Sequence, residues 1–257
     1  MELSKLNIAI FADGADINSI ISLRQNPLIK GFTTNPTLMK RAGVQDYEGF
    51  ARMVLQAVPD MPFSFEVFAD DFDAMEEQAL VISSWGKQVV VKIPVTNTKG
   101  QSSIRMVRRL AEAGIRLNVT ALTTLEQVAR TVDALADSPS SYVSVFAGRI
   151  ADTGRDPVPM MADAVRILAP HRNLKLIWAS PRELLNIFQA DAIGCHVITV
   201  TNDLLKKLFL VGKDLEEYSL ETVRMFYDDA RAADFSLPVA QALLPANGRQ
   251  ASKRSLV

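Results

Sequence analysis

The sequence predicts an α/β protein, a single (β/α)8 barrel followed by one additional C-terminal helix. Three observations predict it. Eight strand-like runs recur along the chain, each followed by a stretch of helical periodicity. The 257 residues match the usual length of such a barrel and suffice for a sizeable core. Within the runs, polar residues gather on one parity, as in strands that turn one face to helices and the other to a barrel axis. An open doubly wound sheet is the alternative, because alternation alone does not show closure.

In chain order the runs are Asn7–Asp13, Gly31–Asn35, Phe63–Ala69, Val89–Pro94, Arg116–Leu122, Tyr142–Gly148, Leu174–Ser180 and His196–Thr201. Apolar positions three or four apart fill the intervals, as in Ile104, Val107 and Leu110, or Leu125, Val128, Val132 and Leu135. Thr123-Thr124-Leu125-Glu126 and Ser180-Pro181-Arg182-Glu183 read as capping boxes, and Asp156-Pro157 as an N-cap with Pro at the first helical position. Ser219 to Phe235 reads as the extra helix, with Val223, Phe226 and Ala230 on an apolar stripe. Residues 1–237 thus form one barrel-plus-helix domain. The stretch 238–257, rich in Pro, Gly, Gln and Ser, with Arg249, Lys253 and Arg254 and no acid, reads as a loosely ordered tail.

Composition removes several functional classes. A formal net charge of −1 offers no global field for nucleic acid or an anionic membrane. No apolar run reaches the length of a membrane span, and Met1 to Phe11 lacks a secretory pattern, so a cytoplasmic protein is expected. A single cysteine, Cys195, excludes an intramolecular disulfide and sits among apolar neighbours as a buried thiol would. His171 and His196 lie in no ligand spacing, and no phosphate-cradling glycine motif is present, so neither metal nor cofactor is expected. Chemistry must then run on Lys, Asp, Glu and hydroxyls.

The fourth run, VVVKIP, places Lys92 inside an otherwise apolar strand. Burial disfavours an ammonium and favours the neutral amine, which attacks carbonyls. A lysine snorkelling from the strand end, or a buried ion pair, is the alternative. The other runs place Asp13, Thr33, Asn35, Glu66, Asn118, Thr120 and Ser144 on one parity, towards the strands' C-terminal ends. In a (β/α)8 barrel the active site lies there. So many inward polar groups are costly unless they form a satisfied network around water or a ligand. Lys92 would form a Schiff base with a ketone, Asp13 or Glu66 would move the proton, and the amides and hydroxyls would orient substrate. A structural salt bridge to Lys92 is the alternative role for either acid. At the barrel mouth, Ser180 and Arg182 after the seventh run and Arg149 after the sixth could hold a phosphate. The alternatives are Arg149 paired with Asp152 or Asp156, and Arg182 with Glu183.

The segments GFTTNPTL from Gly31, Phe65-Glu66-Val67, Val91-Lys92-Ile93-Pro94, Asn118-Val119-Thr120, Phe146-Ala147-Gly148-Arg149-Ile150 and Ala179-Ser180-Pro181-Arg182 resemble the transaldolase family. They run in family order and span roughly residues 7 to 235. The resemblance implies a (β/α)8 barrel with Lys92 as the Schiff-base lysine and Asp13 as the proton carrier at the cleaved carbinol. It implies Glu66 and Thr120 as holders of the catalytic water, and Thr33, Asn35, Asn118 and Ser144 as substrate-orienting residues. Arg149, Ser180 and Arg182 match the phosphate site. Sugar phosphates are the implied substrates, a homo-oligomer the implied assembly and the pentose phosphate pathway the implied context. Related fructose-6-phosphate aldolases typically carry Gln at the position of Glu66 and Tyr at that of Phe146, so Glu and Phe here resemble the transaldolase branch. One departure is Gly14-Ala15-Asp16 after Asp13, where a Thr or Ser and a small residue are more usual. Two further readings stand beside transaldolase: an aldolase using free dihydroxyacetone, and a phosphosugar-binding barrel without chemistry.

Overall fold

A computed structural model of the protein describes residues 2–237. The chain divides into two units, one ending at Gly212 and the other beginning at Lys213. The expected tail lies outside the described residues.

The first unit is a closed barrel of eight parallel strands in sequence order. The strands are β1 (Ala9–Asp13), β2 (Ile29–Thr33), β3 (Phe63–Glu66), β4 (Val89–Pro94), β5 (Leu117–Leu122), β6 (Ser141–Val145), β7 (Leu174–Trp178) and β8 (Val197–Thr201). Closure is explicit, since Ala9 to Asp13 pair in register with Val197 to Thr201. The open-sheet alternative is thereby excluded. Around the barrel run α1 (Ile17–Arg24), α2 (Pro36–Arg41), α3 (Tyr47–Ala57), α4 (Phe72–Ser83), α5 (Ile104–Glu112), α6 (Leu125–Ala134), α7 (Ala147–Ala151), α8 (Pro157–Leu168), α9 (Leu185–Ala192) and α10 (Asn202–Leu205).

Two apolar layers hold this architecture. Outward residues such as Val91, Ile93, Val119, Val143 and Val145 are fully buried beneath the helices, and Phe32, Phe63 and Phe65 stack in series at 5.6 and 4.5 Å between ring centroids. Inside the barrel a second cluster, including Phe11, Val90, Tyr142 and Val197, plugs the N-terminal half. Each of these lies two residues before a polar one on the same strand: Asp13, Lys92, Ser144 and Thr199. With a side-chain period of two, the polar set must occupy the next level up the same interior. The plug closes the floor and leaves the polar level at the C-terminal mouth.

Helix starts follow capping chemistry, with two corrections. Asp156 caps α8 as expected, accepting from the Val158 N–H with Pro157 at the first helical position. The box opening α6 is one residue later than expected. Thr124 is the cap, and the neutral amide of Gln127, not Glu126, returns to the backbone N–H groups of Thr123 and Thr124. The box at Ser180–Glu183 does not form. Ser180 takes a left-handed φ of 60°, the side chain of Asn186 accepts from the Arg182 and Glu183 N–H groups, and α9 begins only at Leu185. The phosphate handle therefore cannot rest on a helix N-terminus at Ser180.

The second unit contains α11 (Leu215–Ala232), which starts earlier than the apolar stripe indicated. Asp214 is the reason: its carboxylate caps the N–H groups of Glu216 and Glu217 and so nucleates the helix there. Among the described residues no helix is long and apolar enough to cross a membrane.

Candidate active site

Lys92 occupies the inward face of β4 and is 7% exposed. Adjacent strands fix its neighbours, since it lies opposite Glu66 on β3 and Asn118 on β5. Its Nζ is 2.9 Å from Glu66 Oε2 and donates to the Thr34 carbonyl oxygen at 3.3 Å. The buried ion pair weighed against catalysis is thus present, and Glu66 makes it. A carboxylate at this distance can also take a proton from the ammonium and leave a nucleophilic amine.

Asp13 has a different environment. It ends β1, opposite Thr33, and accepts a hydrogen bond from Thr33 Oγ1 at 2.7 Å. Desolvation by burial pushes its carboxyl above the ordinary aspartate range; Lys92 and Thr33 pull it down, and the charge of Glu66 raises it further. The two acids near the lysine thus differ in environment: Glu66 pairs with the amine, and burial favours the neutral form of Asp13. Asp13 also lines a cleft with Gly14, Arg41, Asn202 and Asp203. The unusual Asp16 in the first loop caps α1, accepting from the Ser19 N–H at 2.7 Å.

Asn118, fully buried on β5, donates to Ser64 Oγ at 3.1 Å and accepts from Ser144 Oγ at 2.7 Å. These bonds fix its amide orientation and leave one N–H for a substrate. Two residues on, Thr120 Oγ1 is buried with no hydrogen-bond partner among the described residues, which suits a hydroxyl that serves bound substrate or water. Just beyond it, Ala121 takes a φ of 65° and the β5–β6 register shifts. Asn35 is half-buried, and its Oδ1 caps α2 by accepting from the Leu38 N–H.

A second group forms where α7 meets the loop after β7. Arg182 is bidentate to Asp152, not paired with Glu183, and the charge of Arg149 adds to that of Arg182 in holding the Asp152 carboxyl below its usual range. Phe146 is half-buried at the start of α7, and Gly148 lies against Ser180. A Cβ on Gly148 would sit 1.5 Å from the Ser180 carbonyl oxygen, so only glycine allows this approach. Arg149, Ser180 and Arg182 thus belong to one group with Asp152, which the sequence offered as a partner for Arg149 and which instead holds Arg182.

The sequence places Ser64 on the face of Glu66 without giving it a role, and it does not single out Thr199. Thr199 Oγ1 lies 2.5 Å from Thr33 Oγ1. A threonine in a strand is ordinary, and alternation was the one signal available to find it. Cys195, expected as a structural thiol, is buried, and burial pushes its pKa up to about 12, far from thiolate chemistry at neutral pH.

Comparison with known proteins agrees with this geometry. The chain is 32% identical over 200 residues to a protein of Dehalococcoides mccartyi named "Probable transaldolase", covering 77% of this chain and 89% of that one. It is 31% identical over 212 residues to "Probable transaldolase 2" of Listeria monocytogenes, covering 81% and 93%. Among solved structures it is similar to dihydrodipicolinate synthase from Rhodopseudomonas palustris, with a TM-score of 0.55, 14% identity and coverage of 91% of this chain and 82% of that one. A 2,3-dimethylmalate lyase is similar at a TM-score of 0.51 and 14% identity, covering 95% and 89%. Both likenesses concern the barrel alone. The model of the family described as "Transaldolase/Fructose-6-phosphate aldolase" matches residues 10–237. This barrel, with its buried Lys92 among acids and hydroxyls, belongs to the transaldolase/fructose-6-phosphate aldolase family.

Proposed function

We propose that the protein is a transaldolase, moving a dihydroxyacetone unit from a ketose phosphate to an aldose phosphate through a Schiff base on Lys92. The observation that carries this reading is the division of labour between the acids, with Glu66 at 2.9 Å from the Lys92 amine and Asp13 tuned apart by burial. Glu66 takes the ammonium proton, and the free amine adds to the ketose carbonyl. Loss of water leaves an iminium, with Thr120 and Glu66 holding that water. Asp13 takes the proton of the hydroxyl on the carbon beyond the scissile bond. That bond breaks, its electrons pass into the iminium as an enamine, and the aldehyde departs. An acceptor aldehyde reverses these steps. Glu66 and Phe146, in place of Gln and Tyr, favour transfer over the use of free dihydroxyacetone. A cytoplasmic enzyme of the pentose phosphate pathway is the context that goes with these substrates.

Borohydride reduction in the presence of fructose 6-phosphate, followed by peptide mass mapping, tests the reading. A three-carbon adduct on Lys92 is expected, and erythrose 4-phosphate added before the borohydride should discharge it. An adduct with no discharge by the aldehyde would point to the aldolase reading. No adduct, with this donor or with sedoheptulose 7-phosphate, would remove the chemistry.

Arg182→Ala is expected to raise KM for phosphorylated substrates roughly 10- to 100-fold, the size of a lost charge-assisted contact, and to spare unphosphorylated ones. The effect is compounded because Asp152 would be left unpaired beside the phosphate. Equal losses for both substrate types would remove Arg182 from that role. Gly148→Ala is expected to lower kcat/KM by about 10²-fold, as misplacement of positioning groups by about 1 Å does, with the circular dichroism spectrum unchanged. Wild-type kinetics in this variant would show that the close approach to Ser180 is dispensable.

A further inference from the structure

One buried hydroxyl in the Asp13 network has no part in the chemistry above. Thr199 sits on β8, 7% exposed, opposite Phe11 of β1. It shares the parity of Val197, a member of the cluster inside the barrel, so it faces the interior. Its Oγ1 is 2.5 Å from Thr33 Oγ1, which in turn is 2.7 Å from Asp13 Oδ1. Thr199 Oγ1 has no other hydrogen-bond partner among the described residues.

Proton counting gives the pair a direction. A hydroxyl carries one proton, and an ionised carboxylate only accepts. Thr33 must therefore direct its proton to Asp13 whenever that carboxyl is charged. Its oxygen is then free only to accept, so the proton between the two threonines belongs to Thr199. The chain runs from Thr199 to Thr33 to the Asp13 carboxylate, and each bond polarises the next. We propose that Thr199 is a positioning residue for Asp13. By donating to Thr33 it locks the Thr33 proton on Asp13 Oδ1, and so favours the ionised carboxylate that receives the substrate proton. This inference rests on the reading of Asp13 as the proton carrier.

The chain opposes a strong counter-effect, since burial favours the neutral form of Asp13. The other charged groups facing Asp13 are Lys92 from β4 and Glu66 from β3, with Asp16, Arg41 and Asp203 around the adjoining cleft. None of them is hydrogen-bonded to Thr199 among the described residues, so substituting Thr199 isolates the hydroxyl chain. Without Thr199 as donor, the Thr33 hydroxyl loses its fixed orientation and its bond to the carboxylate weakens. The pKa of Asp13 should then rise further.

The test is a carbon-13 titration of the Asp13 carboxyl in the unliganded wild type, Thr199→Val and Thr199→Ser, with pH profiles of kcat/KM for fructose 6-phosphate and erythrose 4-phosphate. Valine keeps the shape and removes the donor; serine keeps the donor. In the valine variant the titration and the acidic limb of the profile should both move to higher pH, while the serine variant stays with the wild type. An unmoved titration in the valine variant overturns the proposal, as does a serine variant that shifts as far as valine. Should valine prevent folding, Thr199→Ala is a second donor-free variant with the same expectation. A wild type that turns over no ketose phosphate would remove the functional reading, and the titration would still decide whether Thr199 governs Asp13.

Discussion

Lys92→Met is expected to abolish both borohydride-trapped adduct and turnover while the barrel remains folded. Methionine fills much of the lysine volume without an amine, so no Schiff base can form. The change also leaves Glu66 facing an apolar side chain, and breaking a buried pair by removing one partner can cost about 3–5 kcal/mol. The single variant should therefore melt below the wild type. Lys92→Met with Glu66→Gln should recover much of that loss, because the uncompensated charge is gone. Adduct mapping and thermal melts read the two effects separately. Turnover that survives in Lys92→Met would end the Schiff-base mechanism. A double variant no more stable than the single would show that the Glu66 charge is not what the lysine compensates.

Asp13→Asn is expected to reduce turnover by roughly 10²–10⁴, the range for a lost general acid–base. Its effect on stability should have the opposite sign. Burial raises the carboxyl above its unfolded value, so the folded state binds the proton more tightly than the unfolded chain. The residue's contribution is then most favourable below the unfolded carboxylate range and is lost as pH rises through the raised value. Above that value the wild type carries a charge that the fold disfavours, and asparagine does not. The variant should melt higher than the wild type at pH 8, and the gain should shrink towards pH 4. A retained rate would remove Asp13 from proton transfer. A lower melting temperature at pH 8 would mean that the carboxylate is held by more than Lys92 and Thr33.

Much of this protein was legible before any coordinates. Six of the eight strands fall within the runs read from the sequence, while β2 starts two residues and β6 one residue before its run. Buried parallel strands are short apolar stretches whose existence local composition announces better than their ends. Alternation placed Lys92, Asp13, Glu66, Asn118, Thr120 and Ser144 on the inner face, since a strand cannot turn one residue inward without turning its second neighbour inward as well. Helix starts were less secure. Thr124 replaced Thr123, and the apparent box at Ser180 gave way to a left-handed turn capped by Asn186, because capping residues compete locally and tertiary contact selects among them.

Residue identity and alternation thus determined the eight strand–helix units, the polar strand ends and the presence of an interior lysine with two acids, whereas closure of the sheet was decided by the pairing of β1 with β8. Only the closed structure decided which acid pairs with that lysine, that Asp152 rather than Glu183 holds Arg182, and that Thr199 stands behind Thr33. The physical reason is sequence separation. Thr33 and Thr199 lie 166 residues apart, and an interaction over that span depends on strand register, tilt and closure, none of which leaves a mark in either residue's neighbours.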